Sequence, residues 1–404
     1  MKSTSALVYF EKITIFIYIF LLPFGALQFF NFVTPYLLYK ISFVVMIFVN
    51  LRHLFGLFSY SNRKNKPIVL YFIIYTLVSL LNVKFTNPED FQEISVYFGF
   101  FDLFLFLNLI SYLVIQQNIK SNIYFPSLFL KAFIYSGFLL SICFYVDLFV
   151  EMDRFGRLTL FGDNSNSIGT FLAVSFIISF HYLVKGRLSF FTFFLLIAIF
   201  VIFLGILKTG SRASLISSLA VVIYFINFKG GFIRSLLRFL LLSVLIVLFI
   251  ILISTQEIIG ARMLNFINDG DVSGRDVIFL SVLPFIMEHW FLGIGISGYY
   301  NLTYQYFEGF FSPHNSLLEA LIYTGFLGFI FFSKWILSVF KRSFFLKSEF
   351  NFNLFISLSV PVLIVLINSQ FFLSKPIWVI IAIILGVNQI NVTSKKCINF
   401  NESY

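Results

Sequence analysis

Charge is what this chain has least of. Only 11% of its 404 residues are Asp, Glu, Lys or Arg, and 59% are hydrophobic; a soluble globular domain carries roughly 25% charged residues. A soluble fold of this length could not cover its apolar surface with so few charges. With a mean hydropathy of +0.96, the solvent it implies is the bilayer. Cysteine is nearly absent: Cys143 lies in an apolar run and Cys397 in the C-terminal tail, which excludes a disulfide framework and a thiolate zinc site. His53, His181, His289 and His314 are scattered, and Glu288-His289 has no further ligand at metal spacing, so no metal site is expected. No P-loop is present, which argues against nucleotide hydrolysis, and no cofactor is indicated. Gly293-Ile294-Gly295-Ile296-Ser297-Gly298 has the letters of a dinucleotide fingerprint. It lacks the strand before it, the soluble helix after it and the later acidic residue, and it reads as a turn ahead of Tyr299-Tyr300.

What is abundant is apolar sequence, with 61 phenylalanines read as lipid-facing bulk. A helix needs roughly 20 apolar residues to cross the hydrocarbon. Runs of that kind fall at 13–32, 36–55, 67–83, 97–115, 128–148, 167–184, 189–206, 211–228, 233–254, 314–337, 352–371 and 374–390. The first starts after Lys12, is too long for a signal-peptide core and has no small-residue cleavage site behind it, so it is read as a span. The expected fold class is all-α: one polytopic transmembrane bundle over residues 1–404, with about twelve spans.

Lys and Arg set the orientation. With the N-terminus inside, nineteen of the 28 basic residues fall on or near inner segments, among them Arg63-Lys64-Asn65-Lys66, Lys185, Lys229, Lys341 and Lys395-Lys396. Eight fall outside: Lys84, Arg154, Arg157, Lys208, Arg212, Arg262, Arg275 and Lys375. Lys40 stays in a span. Of the 18 acidic residues only Glu11, Glu349 and Glu402 lie inside. Both termini are therefore expected in the cytoplasm. The net charge of +10 is a topology signal, and no nucleic-acid partner is implied. Connections are short except for 255–313, a long outer loop expected to contain short helices; loops of this length are usually functional.

Candidate chemistry gathers on the outer side. In Lys208-Thr209-Gly210-Ser211-Arg212, Ser211 suits a helix N-cap and Arg212 falls in the first turn, where the helix dipole disfavours a cation. Orphan N–H groups with Arg and Lys form a phosphate cradle; on position alone, an interfacial snorkelling pair is the simpler reading. Ser273-Gly274-Arg275-Asp276 opens Val277–Trp290, read as a helix in or on the outer leaflet, with Arg275 free to hold an anion or to pair with Asp276 or Asp271. Ser312-Pro313-His314-Asn315 carries Ser as N-cap and Pro at the first helical position, which puts His314 in the first turn of a membrane helix. There it is either an interfacial cap or a neutral imidazole able to act as a general base. Phe161-Gly162-Asp163-Asn164-Ser165-Asn166 is either a turn and cap before the next span or a set of Asn side chains for sugar hydroxyls, with Arg157 nearby.

Taken together these pieces resemble the bacterial O-antigen ligase and polymerase family, over about residues 155–340. In order they are Arg157 with Gly162 and Asn166, Gly210-Ser211-Arg212, and Gly274-Arg275-Asp276. Phe291-Leu292-Gly293-Ile294-Gly295, His314-Asn315-Ser316-Leu317-Leu318-Glu319 and Gly325-Phe326-Leu327-Gly328 follow. Asn164-Ser165-Asn166 stands where the family often has Asn-Pro-Asn. The resemblance implies a metal-independent, inverting membrane glycosyltransferase in the bacterial inner membrane, its site facing the periplasm. The implied donor is an oligosaccharide on undecaprenyl diphosphate; the acceptor is a second glycan or lipid A–core. Membrane lipids and a chain-length regulator complete the implied partners. By resemblance Arg212 and Arg275 hold the diphosphate, His314 takes the acceptor proton, and Arg157, Asn166, Lys208, Ser211 and Asn315 contact substrate. Polymerisation of O-antigen or capsule repeat units is the leading expectation. Ligation to lipid A–core is its rival, and a polysaccharide transporter or flippase the alternative of another class.

Overall fold

The computed structural model describes residues 2–24, 34–55, 65–82, 91–121, 125–152, 157–160, 164–185, 189–225, 275–307, 312–344 and 349–393. These residues form fourteen α-helices. In chain order they are α1 (Lys2–Leu21), α2 (Thr34–Val49), α3 (Leu51–Phe55), α4 (Lys66–Asn82), α5 (Phe91–Ser121), α6 (Phe125–Tyr145) and α7 (Ser165–Lys185). There follow α8 (Phe190–Lys208), α9 (Arg212–Phe225), α10 (Arg275–Glu288), α11 (Gly295–Phe307), α12 (Ser316–Phe344), α13 (Glu349–Asn368) and α14 (Lys375–Thr393). Six of them are long and apolar enough to cross a membrane, and most of the other expected spans appear as shorter apolar helices. The expected span 233–254 lies outside the described residues. The first helix runs from Lys2 to Leu21 where 13–32 was expected. An apolar stretch, Ala6–Phe10, precedes Glu11-Lys12 and continues the span backwards, so that the apolar window opens at Leu7.

A short antiparallel hairpin, β1 (Val150–Met152) and β2 (Leu158–Leu160), pairs Val150 with Leu160 and Met152 with Leu158. It adds a strand element to the all-α expectation. Three-residue strands are too short to show alternation.

Small residues let α6, α7 and α8 pack tightly, as membrane helices do where lipid supplies no hydrophobic drive between them. Gly137 of α6 faces Ser175 of α7. A Cβ on Gly205 of α8 would stand 2.5 Å from the Ser141 hydroxyl of α6. Polar side chains tie other helices together. Asn118 Nδ2 donates to Asn50 Oδ1 at 2.8 Å, Asn50 Nδ2 to Thr14 Oγ1 at 3.3 Å, and Trp335 Nε1 to Tyr112 hydroxyl at 3.3 Å. Arg52 holds the buried Glu11 in a fork, Nε to Oε1 at 2.6 Å and Nη2 to Oε2 at 2.7 Å. Removing one partner of such a pair strands the other charge. Arg52→Leu is therefore expected to lower the melting temperature in detergent more than Glu11→Gln does.

The helix α12 is not continuous. Gly325 has φ 59 and ψ −169, and the chain bends there. Ser316 Oγ donates to the Ser369 carbonyl and accepts from the Phe371 amide, both at 2.8 Å. The Phe332 ring meets the rings of Phe371 and Phe372 at 5.8 and 5.3 Å. In a straight helix Ser316 and Phe332 would lie about 24 Å apart, too far to share the turn between α13 and α14. Residues 316–324 thus form a half-helix folded back from the rest of α12. The peptide groups freed by the break bond to the turn between α10 and α11: Ile294 N donates to Ile322 O (2.9 Å), Phe326 N to Trp290 O (2.7 Å) and Leu327 N to Phe291 O (3.2 Å). Backbone left unpaired in hydrocarbon costs several kcal/mol per group, so this pairing is what makes the break tolerable. In the part of 255–313 described here, Ile296, Tyr299 and Tyr300 of α11 are buried, and α11 packs on α4, α5 and α12.

Candidate functional site

Of the expected residues, the N-terminal turn of α7 gathers Arg157, Asn166 and the Lys208–Arg212 turn. Asn164 caps this helix, its Oδ1 accepting from Asn166 N at 2.8 Å. Asn166 itself turns elsewhere: Arg157 Nη1 donates to its Oδ1 at 3.4 Å. Arg157 immediately precedes β2, which packs on α7, and it is buried at 7% exposure. Of the two readings left open for the Asn run, capping describes Asn164, while Asn166 faces a buried cation.

One turn further along α7, a Cβ on Gly169 would lie 2.6 Å from Ser214 Oγ, 2.8 Å from Ser211 Cβ and 3.1 Å from Thr209 Oγ1. The turn between α8 and α9 is seated there. Thr209 Oγ1 donates to Ile206 O at 2.7 Å and Gly210, at φ 61, closes the helix end through Leu207 O at 3.1 Å, the left-handed glycine position after a helix. Ser211 stands at the N-cap of α9 and is fully buried. Its hydroxyl lies 2.9 Å from that of Ser214, so it shapes the turn from within. Arg212 is the first residue of α9 and half-buried, and Lys208 Nζ sits 5.9 Å from the Tyr145 ring centroid.

His314 is not in the first turn of its helix. The helix starts at Ser316, and Asn315 is its N-cap: Oδ1 accepts from Leu317 N at 3.0 Å and Leu318 N at 3.2 Å. Asn caps at least as well as Ser, and here the Ser312 hydroxyl is engaged otherwise. It accepts from His314 N at 3.2 Å and donates to Glu319 Oε1 at 2.8 Å. His314 therefore precedes the cap, with φ 48, in the left-handed region uncommon outside glycine. Asn315→Ala is expected to cost about 1 kcal/mol, seen as a small drop in melting temperature.

Arg157 and Asn166 are thus in contact, and Lys208, Ser211 and Arg212 share one turn packed on α7. His314 and Asn315 stand at the head of α12, which Ser316 ties to residues 369–371. The continuation of that connection, Lys375 and Pro376, borders a small cavity with Ser167, Ile168 and Phe171 of α7. Arg275 opens α10; its side chain, with Ser273 and Gly274, lies outside the described residues. Two buried ionisable residues lie outside the expected set. Glu319 is completely buried, and an ionisable residue at such a depth is itself a signal. Lys375 was counted only as an outer charge; it is 5% exposed, with Nζ 4.6 Å from the Tyr39 ring centroid. Among the described residues no cluster of His, Cys, Asp and Glu could hold a metal ion.

No curated protein matches the chain. Residues 197–333, from within α8 to the middle of α12, match the family model described as O-Antigen ligase, which supports the resemblance of this region to the O-antigen ligase and polymerase family.

Proposed function

We propose that this membrane protein polymerises glycan repeat units, taking an oligosaccharide from undecaprenyl diphosphate at the outer face of the bacterial inner membrane. The leaving group would be a lipid diphosphate, whose developing charge calls for fixed cations. Arg212 and Arg275 supply guanidinium forks for it, and Arg157, Asn166 and Lys208 line the approach. His314 takes the proton of the acceptor hydroxyl. The hydroxyl oxygen bonds to the anomeric carbon from the face opposite the diphosphate, the carbon–oxygen bond to the diphosphate breaks, and its electron pair leaves with the carrier lipid. One displacement of this kind inverts the anomeric centre.

The observation that carries the reading is the placement of His314 within the family-matched region. It sits in a left-handed backbone conformation at the head of a broken helix whose end Asn315 already caps. Strained backbone of this kind costs about 1–3 kcal/mol and persists where its surroundings over-determine it, often at active sites. The test uses purified protein in proteoliposomes with lipid-linked oligosaccharide extracted from a strain lacking the gene. Longer chains on the carrier lipid support polymerisation. Product formed only when lipid A–core is added moves the assignment to ligation. Movement of the lipid across the bilayer with no new glycosidic bond assigns a transporter, and no product under any condition removes the enzymatic reading.

A further inference from the structure

We infer that Glu319 is a positioning residue which, through the Ser312 hydroxyl, fixes the backbone of His314. This rests on the reading of His314 as the base and adds what holds it. Glu319 lies one turn into the half-helix 316–324 and its carboxyl group reaches back over the helix start. Oε1 accepts from Ser312 Oγ at 2.8 Å; Oε2 has no hydrogen-bond partner among the described residues. Around it stand Tyr71, Tyr299 and Tyr323, and the hydroxyls of Tyr71 and Tyr299 are likewise buried without hydrogen-bond partners among the described residues. The carboxyl group of Glu319 is thus engaged toward the His314 turn.

A Ser hydroxyl has a single proton. Here it is directed at Glu319, which leaves the oxygen lone pairs facing His314 N at 3.2 Å. Without the acceptor the hydroxyl can rotate, and the left-handed backbone of His314, at φ 48, loses the bond that selects it. A half-satisfied carboxyl group inside a membrane bundle is expensive, and a leucine at 319 would pack in the same space. Its presence is accounted for by the turn it holds. Misplacing a base by a fraction of an ångström lowers the rate of the chemical step without weakening substrate binding.

The experiment measures kcat and KM for the same extracted lipid-linked oligosaccharide with E319A, E319Q, S312A and the double variant S312A/E319A, alongside H314A. In E319A and S312A, kcat is expected to fall about 10- to 100-fold with KM within about twofold of wild type. E319Q keeps an acceptor oxygen and is expected within about threefold of wild type. The double variant is expected to be no worse than the worse single, since residues in one hydrogen-bonded chain are not additive. Wild-type kcat in both S312A and E319A, a loss carried by KM, or additive losses in the double variant would overturn the inference. Should E319A fail to fold, S312A retains the carboxyl group and decides the matter alone. If H314A is as active as wild type the polymerase mechanism fails; if H314A is inactive while S312A and E319A turn over normally, only the role of Glu319 does.

Discussion

A strain carrying His314→Ala is expected to hold the protein at normal level in its membranes and to lose its polymeric surface glycan. A general base contributes about 10²- to 10⁴-fold, enough to empty a chain-length ladder on a gel. The turn is held by bonds from the His314 backbone and from the side chains of Ser312, Asn315 and Ser316, all of which the substitution leaves in place. Alanine at φ 48 bears the same kind of strain as histidine, and asparagine tolerates the left-handed region better than either. His314→Asn is therefore the stricter variant: it should be at least as stable as wild type and equally devoid of polymer. A normal ladder from either variant, at matched protein level, would take His314 out of the site. The product left behind also separates the two enzymatic readings. A lost polymerase leaves core carrying a single repeat unit, and a lost ligase leaves bare core with polymer stranded on the carrier.

Apolar runs and the few breaks between them made the helices legible. Long stretches such as Phe190–Lys208 could be little else, and the turn Thr209–Ser211 was marked by its glycine and its capping serine. The break in α12 was not legible. Its sequence, Tyr323-Thr324-Gly325-Phe326, has no charge and no proline, and a single glycine in a helical pattern usually means only a weak point. The break depends on residues 290–294, thirty residues earlier in the chain, and tertiary pairing of that kind leaves no local periodicity. The start of α12 failed for a related reason. Ser312-Pro313 is a strong start signal by itself, but the Ser312 hydroxyl is drawn to Glu319 seven residues on, and Asn315 takes the capping role. In the site, residue types identified Arg212 and His314 as candidates, and Arg157 and Asn166 as neighbours on the outer side. The direct contact between the last two depends on the β1–β2 hairpin, which three-residue strands do not announce.

Gly325→Ala should be among the most destabilising single substitutions in the described part of the chain. The new Cβ would overlap the carbonyl of Phe291 and stand 2.5 Å from Gly293 N. Both obstacles are backbone, so no rotamer change relieves them, and φ 59 adds strain of about 1–2 kcal/mol for a residue with a Cβ. To make room, the 290–294 turn must withdraw, which threatens the three bonds to Ile322, Phe326 and Leu327. A buried donor or acceptor left unsatisfied costs about 1–3 kcal/mol, so the sum approaches the whole stability of an ordinary domain. In detergent, Gly325→Ala is expected to yield little monodisperse protein on size-exclusion chromatography, and Gly293→Ala, whose Cβ would lie 2.5 Å from both Ile322 O and Gly325 N, should behave alike. Gly298→Ala is the internal control: its nearest neighbour would be the Ile294 side chain at 3.3 Å, and a near-normal profile is expected. A Gly325→Ala protein that melts with wild type would show that the turn does not lock the helix. Whatever fraction of it does fold should also be slow in glycan transfer, because the half-helix that begins at Ser316 ends at this break, and releasing its far end frees His314 at the near one.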